Sequence, residues 1–458
     1  MNLITSLYIL ISCQVAIWLI LICIPSTTIL SETNSQDVSA LLTLKQMWKN
    51  VPPSWNRGND SCGGQWEGIT CRDSRIISIT LSSMGLIGIL PGDIQGLSEL
   101  ETLRDLSYNK GLSGNLPPEI GNLAKLTTLI LAGCNFNGEL PDTIGSLSKL
   151  VFLSLNSNDF SGTIPQTIGK LSELYWLDLA ANKLTGNIPI SPGLDMLVHA
   201  KLFHFGGNQL SGAIPPQLFN ENMNLLHLLL DNNQLSGTIP TTLSLVRTLE
   251  VIRFDWNSLI GSVPLSINTL IVLKTLLLSN NKLAGVMPDL TGMNLLSYLD
   301  MSNNSFEVSD VPSWVTALPS LTTLMMEQSQ IQGIIPSSFF GLPQLQKVTT
   351  VSLITLQGQP ITISNSYGSE SSSEAKSKSS GVRKVLAIIG GSIAGVIALI
   401  SSYFAAESLI SCYNDRSCNN FCNNCCSWNF GNRNTQKDED DERQDKWILE
   451  FIRQRPRR

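Results

Sequence analysis

Charge is what this chain has least of. Asp, Glu, Lys and Arg make up 14% of its 458 residues, against roughly 25% in ordinary soluble proteins. The formal net charge is −6, so there is no basic excess to neutralise phosphates and nothing points to nucleic acid. Histidine is scarcer still, with three residues. Two of them, His204 and His227, fall in consecutive copies of the repeat described next, but a metal would need a third ligand at matched height. No cofactor and no metal is expected. Asn, Ser, Thr and Gly fill the space that charge leaves, as an array of turns with an uncharged surface requires.

What the chain does have is repetition. A phrase of the form LxxLxLxxNxLxGxIP returns about every 24 residues, most cleanly at Leu225–Pro240. Other copies centre on Asn158, Asn182, Asn208, Asn257 and Asn281, with looser ones at Asn109 and Asn304. A period of 20–29 residues with this spacing is the signature of a leucine-rich-repeat solenoid. The central LxL is a short strand whose alternate side chains point inward. The Asn turns inward at the strand's end, where its amide satisfies backbone groups of neighbouring coils that no water reaches. One coil cannot bury its own apolar face, so many must stack. The fold class expected is α/β: a right-handed leucine-rich-repeat solenoid of about 11 repeats over 75–346, with a parallel sheet on its concave face and a cap over 32–74. Leu41, Leu42, Leu44 and Trp48 keep helical spacing, which predicts a capping helix at Val38–Lys49 with Asp37 or Ser39 as its N-cap.

Two apolar runs set the expected topology. Leu7–Pro25, followed by small and polar residues, reads as a secretory signal within 1–31. Val385–Ala406 holds 22 residues without charge, about 33 Å of helix, and reads as a single transmembrane helix. A Ser-rich linker, 347–384, precedes it, and a short tail rich in Cys and charge, 407–458, follows. Lys376, Lys378, Arg383 and Lys384 stand before the span, and only Arg416 follows closely, which the positive-inside rule would orient the other way. An N-terminal signal nevertheless exports the repeats, because long domains translocate largely regardless of charge. Sequons at Asn59 and Asn303 are candidate glycosylation sites of an exported solenoid. Gly391 and Gly395, four apart in the span, are candidate helix–helix packing positions for a homodimer.

The ten cysteines fall into groups. Cys13 and Cys23 belong to the signal. Cys62 and Cys71 bracket Trp66 just before the first repeat, and in an oxidising compartment they read as a disulfide closing the solenoid's open end. Cys134 takes the Asn position of its own repeat and is expected to be a buried, inert thiol. Cys412, Cys418 and Cys422, with Cys425 and Cys426, crowd beside the span as candidate palmitoylation sites. A zinc site would need a second CxxC-like pair at a distance.

The stretch Thr33–Trp48, the run Pro52–Trp55 and the segment Asp60–Cys71 together resemble the N-terminal cap of plant leucine-rich-repeat receptor-like kinases. The repeat ending NxLSGxIP is also of the plant type. Gly193–Leu197, Phe203–Asn208 and Leu225–Asn233 resemble one subgroup of those receptors. The likeness runs from Thr33 to about Val348. It implies an extracellular sensor for a peptide, protein or other ligand, coupled to a cytoplasmic Ser/Thr kinase. Yet the 52 residues after Ala406 contain no Gly-rich loop, HRD or DFG, so no enzymatic activity is expected of this chain. The repeats also decay after Pro336.

Residues marked x in LxxLxLxxN should line the concave face. Around the middle repeats these are Tyr175, Trp176, Asp178, His204, His227, Asp231, Arg253, Asp255 and Trp256, and aromatics and Arg are what binding hot spots favour. Trp176, Arg253 and Trp256 are each expected to project from a strand without supporting the core. Earlier strands present Thr127, Thr128, Ile130 and Ser154. Some receptors of the resembled family read a free C-terminal carboxylate with two Arg separated by one residue; Arg253-Phe254-Asp255 lacks the second.

Together these features read as a single-pass receptor-like protein of the plasma membrane that binds a ligand or a kinase-bearing co-receptor, without catalytic output of its own. Two alternatives stay open. One is a truncated gene model of a receptor-like Ser/Thr kinase; the other is a wall-associated, inhibitor-type leucine-rich-repeat protein, which needs no anchor.

Overall fold

A computed structural model describes residues 32–349, apart from 59, 65, 105 and 333–336. All of these lie in the first of the chain's two compact units, Met1–Gly368, and the second is Ser369–Arg458. The expected signal, the span with Gly391 and Gly395, the tail with Cys412, Cys418 and Cys422, and the sequon residue Asn59 lie outside the described residues. Among the described residues no helix is long and apolar enough to cross a membrane.

Thirteen strands among the described residues form one sheet, running in chain order from Ile69–Arg72 to Lys347–Thr349. The first pair is antiparallel; from Arg75–Ile79 onward every neighbour is parallel. The repeat spacing explains the register. In the strand Trp176–Asp178, Leu177 points into the core between Leu153 and Phe203, its partners on either side. Each coil then leaves the sheet, passes through its Ile-Pro pair and returns along a short 3-10 turn such as Asp142–Ser146 or Gln166–Lys170. Proline fixes φ near −65°, so it sets the entry to that turn at little entropic cost. Leu171, Leu174, Leu177 and Leu179 of one coil have no exposed surface. The core is therefore a one-dimensional stack in which each coil covers the next.

The Asn expectation holds in atomic detail. Asn182 donates from Nδ2 to the carbonyls of Leu155 (3.0 Å), Leu179 (3.1 Å) and Ala180 (3.1 Å), and its Oδ1 accepts from the Phe160 amide at 3.0 Å. Asn158, Asn208, Asn281 and Asn304 repeat the pattern. The residue before the ladder position has positive φ in coil after coil, including Ser157, Ala181, Gly207, Asn232, Trp256, Asn280 and Asn303. One left-handed residue there turns the chain so that the Asn faces inward. Cys134 breaks the ladder, and is free and buried as expected. Its thiol donates to the Leu106 carbonyl at 3.1 Å, while the Leu112 amide, with no side-chain oxygen to reach, bonds the Asn109 carbonyl at 2.8 Å. Burial pushes the Cys134 thiol up to about 11, against a smaller opposing contribution from the Asn109 amide, so it stays protonated and unreactive.

The capping helix α1 spans Ser35–Met47 and is capped by Asn34, whose side chain accepts the Gln36 amide at 2.9 Å. This corrects the expected start and the expected caps. Asp37 is buried inside α1, where it accepts two bonds from Arg75 (2.9 and 3.0 Å) and one from the Ile76 amide (2.7 Å). A carboxylate on the first helical turn locks the cap to the first parallel strand. Cys62 and Cys71 are disulfide-bonded, beside Trp55 and Trp66, which stack at 5.1 Å. At the other end Lys347–Thr349 pairs with Thr323–Met325, so the sheet continues where the sequence repeat fades. Ser329 stands at the ladder position of the coil before it and donates within its own coil to the Met326 carbonyl.

Candidate functional site

The exposed face of the main sheet carries five parallel columns of side chains, one from each x of the repeat. Strands lie about 4.8 Å apart, so each outward side chain touches its counterparts on both sides. That closeness corrects the expected accessibility of several residues. Trp176, Asp178, His204 and Asp255 were expected to be open to a ligand, yet they are 4%, 1%, 8% and 6% exposed. Trp176 lies in register between Phe152 and Leu202, and these large neighbours cover it. Tyr175 is half-buried, with its ring tilted against Phe152 at 6.2 Å. Trp176 thus belongs to a packed outer layer, and its truncation would open that layer. Ile130 and Ser154 are buried in the same way.

Asp178, His204, Asp231, Arg253 and Asp255 are brought together. Asp178 and His204 are register partners, with Oδ1 3.1 Å from the imidazole Nδ1. Two strands on, Arg253 reaches Asp231 at 3.2 Å and Asp255 at 3.4 Å. Gly206 leaves room for this group, because a Cβ there would stand 2.8 Å from Asp231 Oδ1. Burial alone would lower the His204 pKa, but the Asp178 charge and hydrogen bond, with Asp231, outweigh it and raise the group above its ordinary value. Burial lowers His227 and raises Asp255, the latter against the pull of Arg253. His227 lies opposite Leu202 and Val251, one column away from His204, so the two imidazoles do not share a height.

Arg253 and Trp256 remain open to solvent. The Arg253 side chain is 39% exposed, and Trp256 is 61% exposed. The expectation that Trp256 projects from a strand is corrected: the strand ends at Arg253, and Trp256 is the left-handed turn residue of its coil, at φ +56°. Its amide donates to the Ser279 carbonyl at 2.9 Å, which fixes it beside the next coil. A bulky side chain held at positive φ costs about 1–2 kcal/mol, and such outliers gather at functional sites. Asn303, the remaining sequon residue, is exposed in the same column and donates to Asn280 Oδ1 at 2.7 Å. The pattern could have exposed this column, since every second x before Asn must turn left-handed. The ion-paired burial needed the register.

These features define a leucine-rich-repeat protein with a plant-type solenoid. The sequence matches the leucine rich repeat N-terminal domain over residues 34–72, a leucine-rich repeat region over 90–189 and a leucine rich repeat over 224–245. It is 59% identical over 229 residues to a probable leucine-rich repeat receptor-like protein kinase of Arabidopsis thaliana, a match covering 49% of this chain and 24% of that one. Among solved structures it resembles a TDR receptor (TM-score 0.53, 32% identity, 57% of this chain and 45% of that one). It also resembles the ectodomain of the Arabidopsis thaliana receptor kinase GASSHO1/SCHENGEN3 in complex with CASPARIAN STRIP INTEGRITY FACTOR 2 (TM-score 0.54, 26% identity, 69% and 44%). The chain thus carries leucine-rich repeats and an N-terminal cap similar to those of plant leucine-rich-repeat receptor-like kinases. It spans about a quarter of the length of that kinase relative and under half of either solved chain.

Proposed function

We propose that this protein is a single-pass receptor-like protein of the plasma membrane, whose extracellular repeats bind a peptide ligand or a kinase-bearing co-receptor and which itself catalyses nothing. Trp256 carries this reading: a large aromatic, exposed and held in a left-handed turn, with the exposed Arg253 on the strand that leads to it. Binding hot spots are rich in Trp and Arg, and the GASSHO1/SCHENGEN3 ectodomain was solved with a bound partner on the same type of solenoid. On this reading the signal passes to the kinase of a partner. The match over a quarter of a kinase relative's length favours a second reading, in which this sequence is the sensing part of a longer receptor kinase.

The test is capture of partners from plant membranes by the full chain, wild type against Arg253→Ala/Trp256→Ala. Circular dichroism first establishes that both are folded. The paired substitution should reduce recovery of at least one partner roughly tenfold or more. Equal recovery of every partner would move the site off this face.

A further inference from the structure

The turn residues that precede the ladder position form a hydrogen-bonded column along the edge of the sheet face. The Trp256 amide donates to the Ser279 carbonyl at 2.9 Å, the Asn280 amide to that of Ser302 at 3.0 Å and the Asn303 amide to that of Glu327 at 2.7 Å. Asn232, Asn280 and Asn303 are the Asn members of this column among the described residues. The residue two positions later falls just past the ladder, and it is Gln234, Lys282 and Ser305 in turn. Only the last completes Asn-x-Ser, the acceptor of N-linked glycans in an exported protein. The fold leaves room for the sugar. Asn303 and Ser305 are exposed, while the intervening Asn304 is turned inward, its amide donating to the Leu278, Met301 and Ser302 carbonyls. The Asn303 Nδ2 carries a pair of hydrogens. One lies in the bond to Asn280 Oδ1 at 2.7 Å; a sugar replaces the other and leaves that bond in place.

We propose that Asn303 carries an N-linked glycan, and that this glycan marks the C-terminal limit of the binding face. The glycan rests on export of the repeats, and the limit rests on the receptor reading. In the transfer, Nδ2 bonds to the anomeric carbon of an oligosaccharide as the bond from that carbon to a lipid pyrophosphate carrier breaks. The carrier leaves, and the amide proton passes to solvent. Trp256 and Asn303 hold the same position on coils separated by one other, roughly 10 Å along the stack at about 4.8 Å per coil. A glycan is bulky and hydrated, so one rooted at Asn303 crowds the face over its own coil and its neighbours while Trp256 stays clear. The Asn280 bond holds the carrier amide, so the sugar leaves the surface in a fixed direction. A partner seated on Arg253 and Trp256 is thereby directed toward the earlier coils. There the same column shrinks to Gly207 and Ala181, both at positive φ, which leaves room over the backbone.

The full chain is expressed in plant cells, and surface labelling of intact cells selects the exported molecules. Enzymatic release of N-glycans in heavy-oxygen water then tags each former carrier by mass. Residue 303 should be tagged in most exported molecules, and Ser305→Ala, which keeps the Asn303 side chain, should abolish the tag. An exported chain untagged at 303 overturns the glycan and leaves the receptor reading intact, whereas a chain that never reaches the surface overturns both. The limit is tested by repeating the membrane capture with variants on either side of Asn303. Lys282→Thr brings a sequon to Asn280, one coil nearer Trp256, and molecules tagged there should lose partner recovery roughly tenfold. Gln328→Arg, on the exposed turn residue one coil beyond Asn303, should leave recovery within about twofold. Full recovery by Lys282→Thr molecules tagged at Asn280, or a roughly tenfold loss in Gln328→Arg, overturns the limit; if Asn280 takes no sugar, Gln328→Arg decides alone. If no partner depends on Arg253 and Trp256, the limit falls with the receptor reading, and the glycan is still decided by mass.

Discussion

Trp256 occupies a column whose other members include Asn232, Asn280 and Asn303, all at positive φ. Asn accepts that conformation with less strain than a bulky side chain. Trp256→Asn should therefore leave stability unchanged or raise it by about 1 kcal/mol, while partner capture falls as in the alanine variant. A clear drop in thermal midpoint would show that the indole supports the fold. His204 gives a second test at this scale. Its pKa is raised in the folded protein, mainly because Asp178 and Asp231 outweigh the burial that would lower it. The stability it contributes is thus fully present below the unfolded value of about 6.5 and is lost as pH rises through the folded value. Asp178 faces it from the preceding strand, and Asp231, Arg253 and His227 from the following ones. His227 shifts the other way but is common to both proteins compared. His204→Gln should destabilise more at pH 5 than at pH 8 in thermal unfolding. A loss independent of pH would show that His204 acts by packing alone.

At the scale of one coil, the ladder residue is worth more than its neighbours because four hydrogen bonds converge on it. Removing Asn182 leaves the Phe160 amide and three carbonyls without that partner, and each buried group left unsatisfied costs about 1–3 kcal/mol. Asn182→Ala should cost at least about 3 kcal/mol. Cys134→Ala should cost clearly less, since the Leu112 amide already has a backbone acceptor and only a weak S–H donor disappears. Chemical unfolding of the two variants side by side measures this. Equal losses would mean that coil packing, and not the ladder, sets the energy.

At the scale of the molecule, stability in a solenoid is a sum over coils and their shared faces, so the ends decide how it opens. The cap holds through the Cys62–Cys71 bridge and through Asp37, which ties α1 to Arg75 and Ile76. Replacing Cys62 and Cys71 by Ser should cost about 2–5 kcal/mol. Amide hydrogen exchange should then quicken in the first coils and fade toward the strand Tyr298–Asp300. Uniform acceleration along the chain would contradict a nearest-neighbour solenoid.

The sequence by itself determined the solenoid, its period, the inward Asn, the disulfide and the lone buried thiol. The solenoid, the inward Asn and the buried thiol follow from a residue meeting its own repeat a fixed number of positions away, and the disulfide from two Cys nine positions apart in the cap. It also picked out the residues of the sheet face. Only the tertiary structure decided which of them a ligand can touch. Trp176 is covered by Phe152 and Leu202 and Asp178 by His204, whereas Trp256 is thrust outward by a left-handed turn. The role of Asp37 was likewise hidden, because its partner Arg75 is 38 positions away and follows no period. Exposure depends on which side chains neighbouring coils set beside one another, and that is a property of register, which one repeat read alone does not contain.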